Sequence, residues 1–141
     1  MDVFQNDMET KVELEPFEHT EVPIQIGNDV WIGEDVVLKP GIRVGDGAVI
    51  AAKALITKDV ESFTIVGGIP ARKIGSRFPE ELAAKISALE WWNYAPDPVS
   101  TAQVDNPELF CSLFQAKLES GTLQKLGLEP VTYSELAGTL E

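Results

Sequence analysis

The apolar positions between Ile26 and Val60 recur every six residues without a break. The leads are Ile26, Ile32, Leu38, Val44, Ile50 and Ile56, and the residues four places on are Val30, Val36, Ile42, Ala48, Ala54 and Val60; all twelve are apolar. A helix repeats near 3.6 residues and a half-buried strand every two, so neither gives this period. Paired hairpins would reach it only by coincidence and would want turn signals such as Asn-Gly. The residues after the leads are Gly27, Gly33, Lys39, Gly45, Ala51 and Thr57, and glycine there suits a corner where the chain turns tightly. The pattern predicts a mainly β solenoid whose short strands send their lead side chains into one core.

Past the repeat, Phe63-Thr64-Ile65-Val66 reads as one more strand, and Gly67-Gly68-Ile69-Pro70-Ala71-Arg72 as a sharp exit. Pro79-Glu80-Glu81 opens a helix, with proline in the first turn and acids at the positive end of its dipole. Its stripe of Leu82, Ile86 and Leu89 leads to Trp91-Trp92 and predicts packing against the solenoid. A second amphipathic helix is expected from Pro107 to Ser120, carrying Leu109, Phe110, Leu113, Phe114 and Leu118 and ending near Gly121. The expected organisation is an acidic arm over 1–23, the repeat over 24–77, a helix over 78–94, a proline-containing linker over 95–106 and a helical extension over 107–141. Twelve inward positions bury too little to offset the ordering of six hexads of backbone, so flanking segments and further copies of the chain must add burial.

Length and charge narrow the function. A chain of 141 residues suits one ordinary domain with appendages. The net charge of −12 disfavours nucleic acid or an anionic membrane surface as the main partner. The charge is segregated, however: from Lys39 to Arg77 seven basic residues face three acidic ones. Such an island suits an anionic small molecule such as a phosphorylated cofactor, and equally a solvated mixed-charge surface. Met1-Asp2-Val3-Phe4 has neither a basic nor an apolar run, and Cys111 is the sole cysteine, so a cytoplasmic protein without disulfides is expected. No run approaches the roughly 18 apolar residues of a membrane span. Cys111 lies inside the second helix without a basic neighbour in sequence and reads as an inert, buried thiol. No metal is expected.

Several motifs together resemble one family. They are Ile26-Gly27-Asn28-Asp29-Val30-Trp31-Ile32-Gly33, Pro40-Gly41-Ile42, Gly45-Asp46-Gly47-Ala48, Thr57-Lys58-Asp59-Val60, Gly67-Gly68-Ile69-Pro70-Ala71, Arg77-Phe78 and Trp91-Trp92-Asn93. The stretch from Ile24 to Tyr94 resembles the C-terminal portion of hexapeptide-repeat xenobiotic acetyltransferases, of the chloramphenicol and streptogramin type. The resemblance implies a left-handed parallel β-helix of about two coils plus a strand, three hexads to a triangular coil, followed by C-terminal α-helices. Handedness comes from the resemblance alone and runs against the right-handed crossover rule.

The resemblance also implies a homotrimer that transfers the acetyl group of acetyl-CoA to a hydroxyl of a small-molecule acceptor. Ala52, Thr57 and Lys58 would lie beside the cofactor arm, Arg72 or Lys73 near the adenosine phosphates, and Trp31 by the acetyl-transfer site. Each has an ordinary alternative: alanine at a tight corner, lysine on a wet face, tryptophan in an inter-subunit contact. The family's general base is a histidine, which by the subfamily's spacing would precede Met1 and in relatives without the loop insertion falls near Asp7. The sole histidine is His19. Flanked by Glu18 and Glu21 it is a candidate replacement base, or else a solvated loop residue. Two readings stay open: an O-acetyltransferase family member, or a non-catalytic trimeric binding or assembly protein on the same fold.

Overall fold

In the computed structural model, which describes residues 22–98, 102–103 and 105–132, each lead position ends a two-residue strand. These strands are β1 (Gln25–Ile26), β2 (Trp31–Ile32), β3 (Val37–Leu38), β4 (Arg43–Val44), β5 (Val49–Ile50) and β6 (Leu55–Ile56). Pairing is parallel, and Gln25 faces Arg43, Trp31 faces Val49 and Val37 faces Leu55, so every partner lies eighteen residues on. Three hexads therefore make one coil with three faces. The first face holds β1 and β4, the second β2 and β5, the third β3 and β6.

The core consists of the leads and the residues four places on. Ile42, Val44, Ala48, Ile50, Ala54, Ile56, Val60 and Val66 are buried together, with Val30, Val36 and Leu38 packed against them. Burial is graded along the axis. Val44, Ile50 and Ile56 are 3%, 1% and 1% exposed, whereas Ile26 and Ile32 in the first coil are 50% and 39% exposed.

The corners work differently from the sequence expectation. Gly27, Gly33 and Gly45 have no left-handed backbone; that conformation falls three residues after each of the first five leads, at Asp29 (φ 52°), Asp35 (55°), Gly41 (79°), Gly47 (67°) and Lys53 (59°). The glycines beside the leads are needed for space. A Cβ on Gly33 would lie 2.5 Å from the Ala52 nitrogen of the next coil, and one on Gly45 2.6 Å from the Ser62 nitrogen. Stacked coils touch backbone to backbone at these points.

The period breaks after Ile56. Val44 bridges Val60 in parallel, and β7 (Thr64–Gly68) joins β5 with Ile50 opposite Val66, so the partners are now sixteen residues apart. Val60 thus takes a lead role in a third coil and does not close the sixth hexad as the spacing implied. The left-handed residue returns three places later at Phe63 (φ 54°). The corner over Thr57, Lys58 and Asp59 is two residues short, and the Asp59 carboxylate accepts the Arg43 N–H at 2.8 Å.

The exit is a hairpin. β8 (Ala71–Ser76) runs back antiparallel to β7 and makes the second face four strands wide, in the order β2-β5-β7-β8. The glycine-rich exit was expected, but the strand after it was not, because Ala71-Arg72-Lys73-Ile74-Gly75-Ser76 shows no clean alternation. Arg77 then returns to the first corner: its Nη1 donates to the Asp29 carbonyl (3.0 Å), the Asp29 carboxylate (2.9 Å) and the Gly47 carbonyl (3.1 Å).

Two helices form a second core on that corner. α1 (Glu80–Leu89) buries Leu82, Ile86 and Leu89, and α2 (Pro107–Glu119) buries Phe110, Cys111 and Phe114, all clustered with Phe63. The buried face of α1 follows its expected stripe, whereas on α2 Phe110 and Phe114 are buried together with Cys111 and the expected Leu109 is exposed. Among the described residues, which end at 132, the extension from 107 is helical to Glu119; the chain then returns to pair Lys125 with Tyr94, and the Ala95 N–H donates to the Gln124 carbonyl at 2.8 Å. Ala95, the first residue of the expected linker, is therefore held beside this bridge. His19, Asp7 and the acidic arm up to residue 21 lie outside the described residues. Among the described residues no helix is long and apolar enough to cross a membrane.

Candidate functional site

The shortened corner and the exit hairpin enclose a groove of about 400 Å³. Its floor is the apolar edge of Ile56, Val60 and Val66, and its walls carry Thr57, Lys58, Asp59, Glu61, Arg72 and Lys73. Thr57 and Lys58 come from the corner after β6, Arg72 and Lys73 from β8. They meet because β8 folds back over β7, pairing Val66 with Lys73 and Gly67 with Arg72. Had the chain left the solenoid directly after Val66, these two cations would have no fixed place near Lys58.

Three cations face two carboxylates in this groove. The carboxylates are not equivalent. Asp59 is engaged by the Arg43 N–H, while Glu61 lies 3.7 Å from Lys73 with both side chains largely exposed. Such an exposed pair contributes roughly 0–1 kcal/mol and yields readily to a stronger anion. Arg72 donates to the Ala71 carbonyl at 2.8 Å. Lys58 has no ion-pair partner among the described residues. Thr64, the buried polar residue under the groove, donates from its hydroxyl to the Ser62 carbonyl at 3.4 Å. An ammonium without an ion-pair partner, a guanidinium and a hydroxyl around an open groove suit phosphate oxygens, which accept charge-assisted hydrogen bonds.

Thr57, Lys58, Arg72 and Lys73 are thus brought together, and Ala52 and Trp31 are not. Ala52 sits at the corner after β5, under Gly33. Trp31 lies on β2 and is 69% exposed. The basic island also disperses: Lys53 is at the Ala52 corner, Arg43 on the first face, and Arg77 is taken up by its ion pair with Asp29. Asp59 and Glu61 were not anticipated as groove residues. Asp59 occupies the place, three after a lead, where other hexads turn left-handed, and that exception is legible in the sequence only once the slip at Val60 is known.

Cys111 is buried against α1, and burial pushes its thiol above the ordinary range; Lys85 acts in the opposite direction and Glu108 adds to the rise. It is not among the residues that line the groove.

Residues 23–58 match the family model for the bacterial transferase hexapeptide (six repeats). The chain is 47% identical over 87 residues to a chloramphenicol acetyltransferase of Morganella morganii, covering 62% of this chain and 40% of that one. It is 44% identical over 87 residues to a probable macrolide acetyltransferase of Lysinibacillus sphaericus, covering 62% and 46%. The chain therefore spans less than half the length of these curated relatives. Among solved structures, a galactoside acetyltransferase in complex with coenzyme A is 45% identical over 40% of this chain and 28% of that one, with a TM-score of 0.39.

Proposed function

With the bacterial transferase hexapeptide repeat of residues 23–58 as premise, we propose that this chain is the cofactor-binding portion of an acetyl-CoA-dependent O-acetyltransferase acting on a hydroxyl of a small, antibiotic-like molecule. The observation that carries the reading is the convergence of Thr57, Lys58, Arg72 and Lys73 on one groove, in a chain 47% identical to a chloramphenicol acetyltransferase over its matched part. The donor set fits the phosphates of coenzyme A, with Arg72 and Lys73 as the phosphate ligands and Thr57 and Lys58 along the arm. Acetyl-CoA would supply a thioester; the acceptor oxygen bonds to its carbonyl carbon, the hydroxyl proton passes to a base, and the C–S bond breaks to release coenzyme A, whose thiolate takes up that proton. His19, the sole histidine of the chain, is the candidate for that base.

The solenoid is proposed to be a left-handed parallel β-helix and the working form a cytoplasmic homotrimer of prisms. Ala52 and Trp31 lie at other corners and faces than Lys58, so a neighbouring copy would bring them to the same cofactor. A second reading on the same groove is a trimer that binds the cofactor without turning it over.

Titration calorimetry of acetyl-CoA, with light scattering on the same sample, tests the proposal. Saturable binding to a trimer is expected, weakened about tenfold or more by Lys58→Ala through loss of a charge-assisted contact. Loss of acetyl transfer in His19→Ala, with binding retained, assigns the base. Binding without turnover in the unaltered protein favours the second reading, and a folded protein that does not bind acetyl-CoA refutes both.

A further inference from the structure

On the first corner, away from the basic groove, a cavity of about 240 Å³ lies between the solenoid and the helical layer. We propose that it is a second small-molecule site, for a neutral, single-ring aromatic compound carrying one hydrogen-bond-accepting oxygen on a short substituent. The acetyl-CoA reading plays no part in this proposal.

Shape and lining argue for a ring. The lining includes five aromatic side chains, Phe78, Trp91, Tyr94, Phe110 and Phe114, together with Ile86. These rings already pack edge to face: Trp91 to Phe110 at 6.1 Å and 85°, Tyr94 to Phe114 at 5.6 Å and 80°. A further aromatic ring extends the same arrangement, which aromatic quadrupoles favour. Apolar cavities of about 150 Å³ stay dry and take up benzene. At about 240 Å³ this one has room for a ring and a short substituent.

Charge argues for neutrality. The ionic side chains lining the cavity are Asp29, Arg77 and Asp97. Asp29 is paired with Arg77 at 2.9 Å, and Asp97 with Lys117. Each carboxylate already has a cation, so a charged ligand would enter an apolar site with no counter-charge to meet, at a large desolvation cost. A few placed polar groups in an otherwise apolar pocket are what orients a small ligand, and Arg77 provides them. Among the described residues its side-chain hydrogen bonds all leave from Nη1, and Nε and Nη2 keep donors for an acceptor oxygen.

The cavity is held open by elements that do not depend on a ligand. Asn106 caps α2 by accepting the Leu109 N–H at 3.1 Å, the bridge from Tyr94 to Lys125 fixes one wall, and Arg77 ties the other to the first corner.

Acetophenone is the probe: neutral, one ring, one carbonyl oxygen. Titrated into the full chain and followed by NMR, it is expected to shift the indole N–H of Trp91 saturably and to leave that of Trp31 in place. Ala95→Leu, which adds volume to a lining residue, should abolish the shift while circular dichroism stays unchanged. Benzoate at the same concentrations should leave Trp91 unaffected. Overturning results are a Trp91 signal that does not respond in the unaltered protein, equal binding in Ala95→Leu, or benzoate binding as tightly as acetophenone. Should Ala95→Leu fail to fold, the contrast between Trp91 and Trp31 in the unaltered chain still decides the matter.

Discussion

Replacing Gly33 with alanine separates two explanations of the small residues beside the leads. If glycine serves only backbone freedom, Gly33→Ala should stabilise the protein by roughly 0.4–1 kcal/mol, because Gly33 lacks a left-handed conformation and alanine restricts the unfolded chain. The stacking geometry gives the opposite sign. The new Cβ would meet the Ala52 nitrogen at 2.5 Å, the Ala52 Cα at 2.8 Å and the Ala51 carbonyl carbon at 3.0 Å. All three are backbone atoms that move only if the coils separate. Overpacking of this kind costs about 1–3 kcal/mol, so the expected net effect is a loss of about 1–2 kcal/mol. Gly75→Ala is the control, because nothing lies within 4 Å of its Cβ position and its backbone is not left-handed either. Urea unfolding at one fixed protein concentration, needed because assembly shifts apparent stability, should show the Gly33 midpoint falling and the Gly75 midpoint unchanged or raised. Equal midpoints for the two variants would refute the stacking argument.

Two further outcomes follow from local geometry. Asn106→Ala removes the side-chain acceptor for the Leu109 N–H and should lower stability by about 1 kcal/mol, read in the same unfolding assay, with Asn106→Ser largely restoring it. Burial raises the Cys111 thiol, so the folded state favours the protonated form. Above the thiol's unfolded pKa the unfolded chain releases its proton first, and stability attributable to Cys111 is full below that pKa and falls as the pH rises through it toward the folded value. Reaction with an aromatic disulfide reagent at pH 8 should accordingly be slow in the folded protein and become fast once urea unfolds it.

The solenoid was legible because its period lies in side-chain character: a lead every six residues needs only an aliphatic, and the chain supplies one each time. The corner conformations were not. Asp29, Asp35 and Lys53 adopt left-handed backbone without being glycine, and the eye is drawn to Gly27 and Gly33, whose role is clearance from a coil eighteen residues away. The slip at Val60 was hidden because Val60 is apolar in either register. Of the six proposed cofactor residues, four converge on one groove; what the spacing could not convey was that Ala52 and Lys58, six residues apart, occupy different corners of a triangle. The pairing of Arg72 and Lys73 with that groove depends on an antiparallel turn-back, and β8 has too irregular a pattern to announce it. The helices were readable from their stripes, whereas the cavity between them and the first corner arises from contacts distant in sequence.

The two-residue slip between Ile56 and Val60 acts on the solenoid as a dislocation acts on a crystal. A perfect lattice of hexads has no intrinsic length: a coil identical to the last always fits. Once the lattice is displaced, a continuation in the old phase would turn Ser62 inward where Val60 now sits, and the growth rule fails. The old phase is closed off at this point, the next rung is laid down in the new phase at Val60 and Val66, and the turn-back of β8 on β7 ends the stack. Whole coils could be duplicated upstream, lengthening the prism, without disturbing how or where it ends.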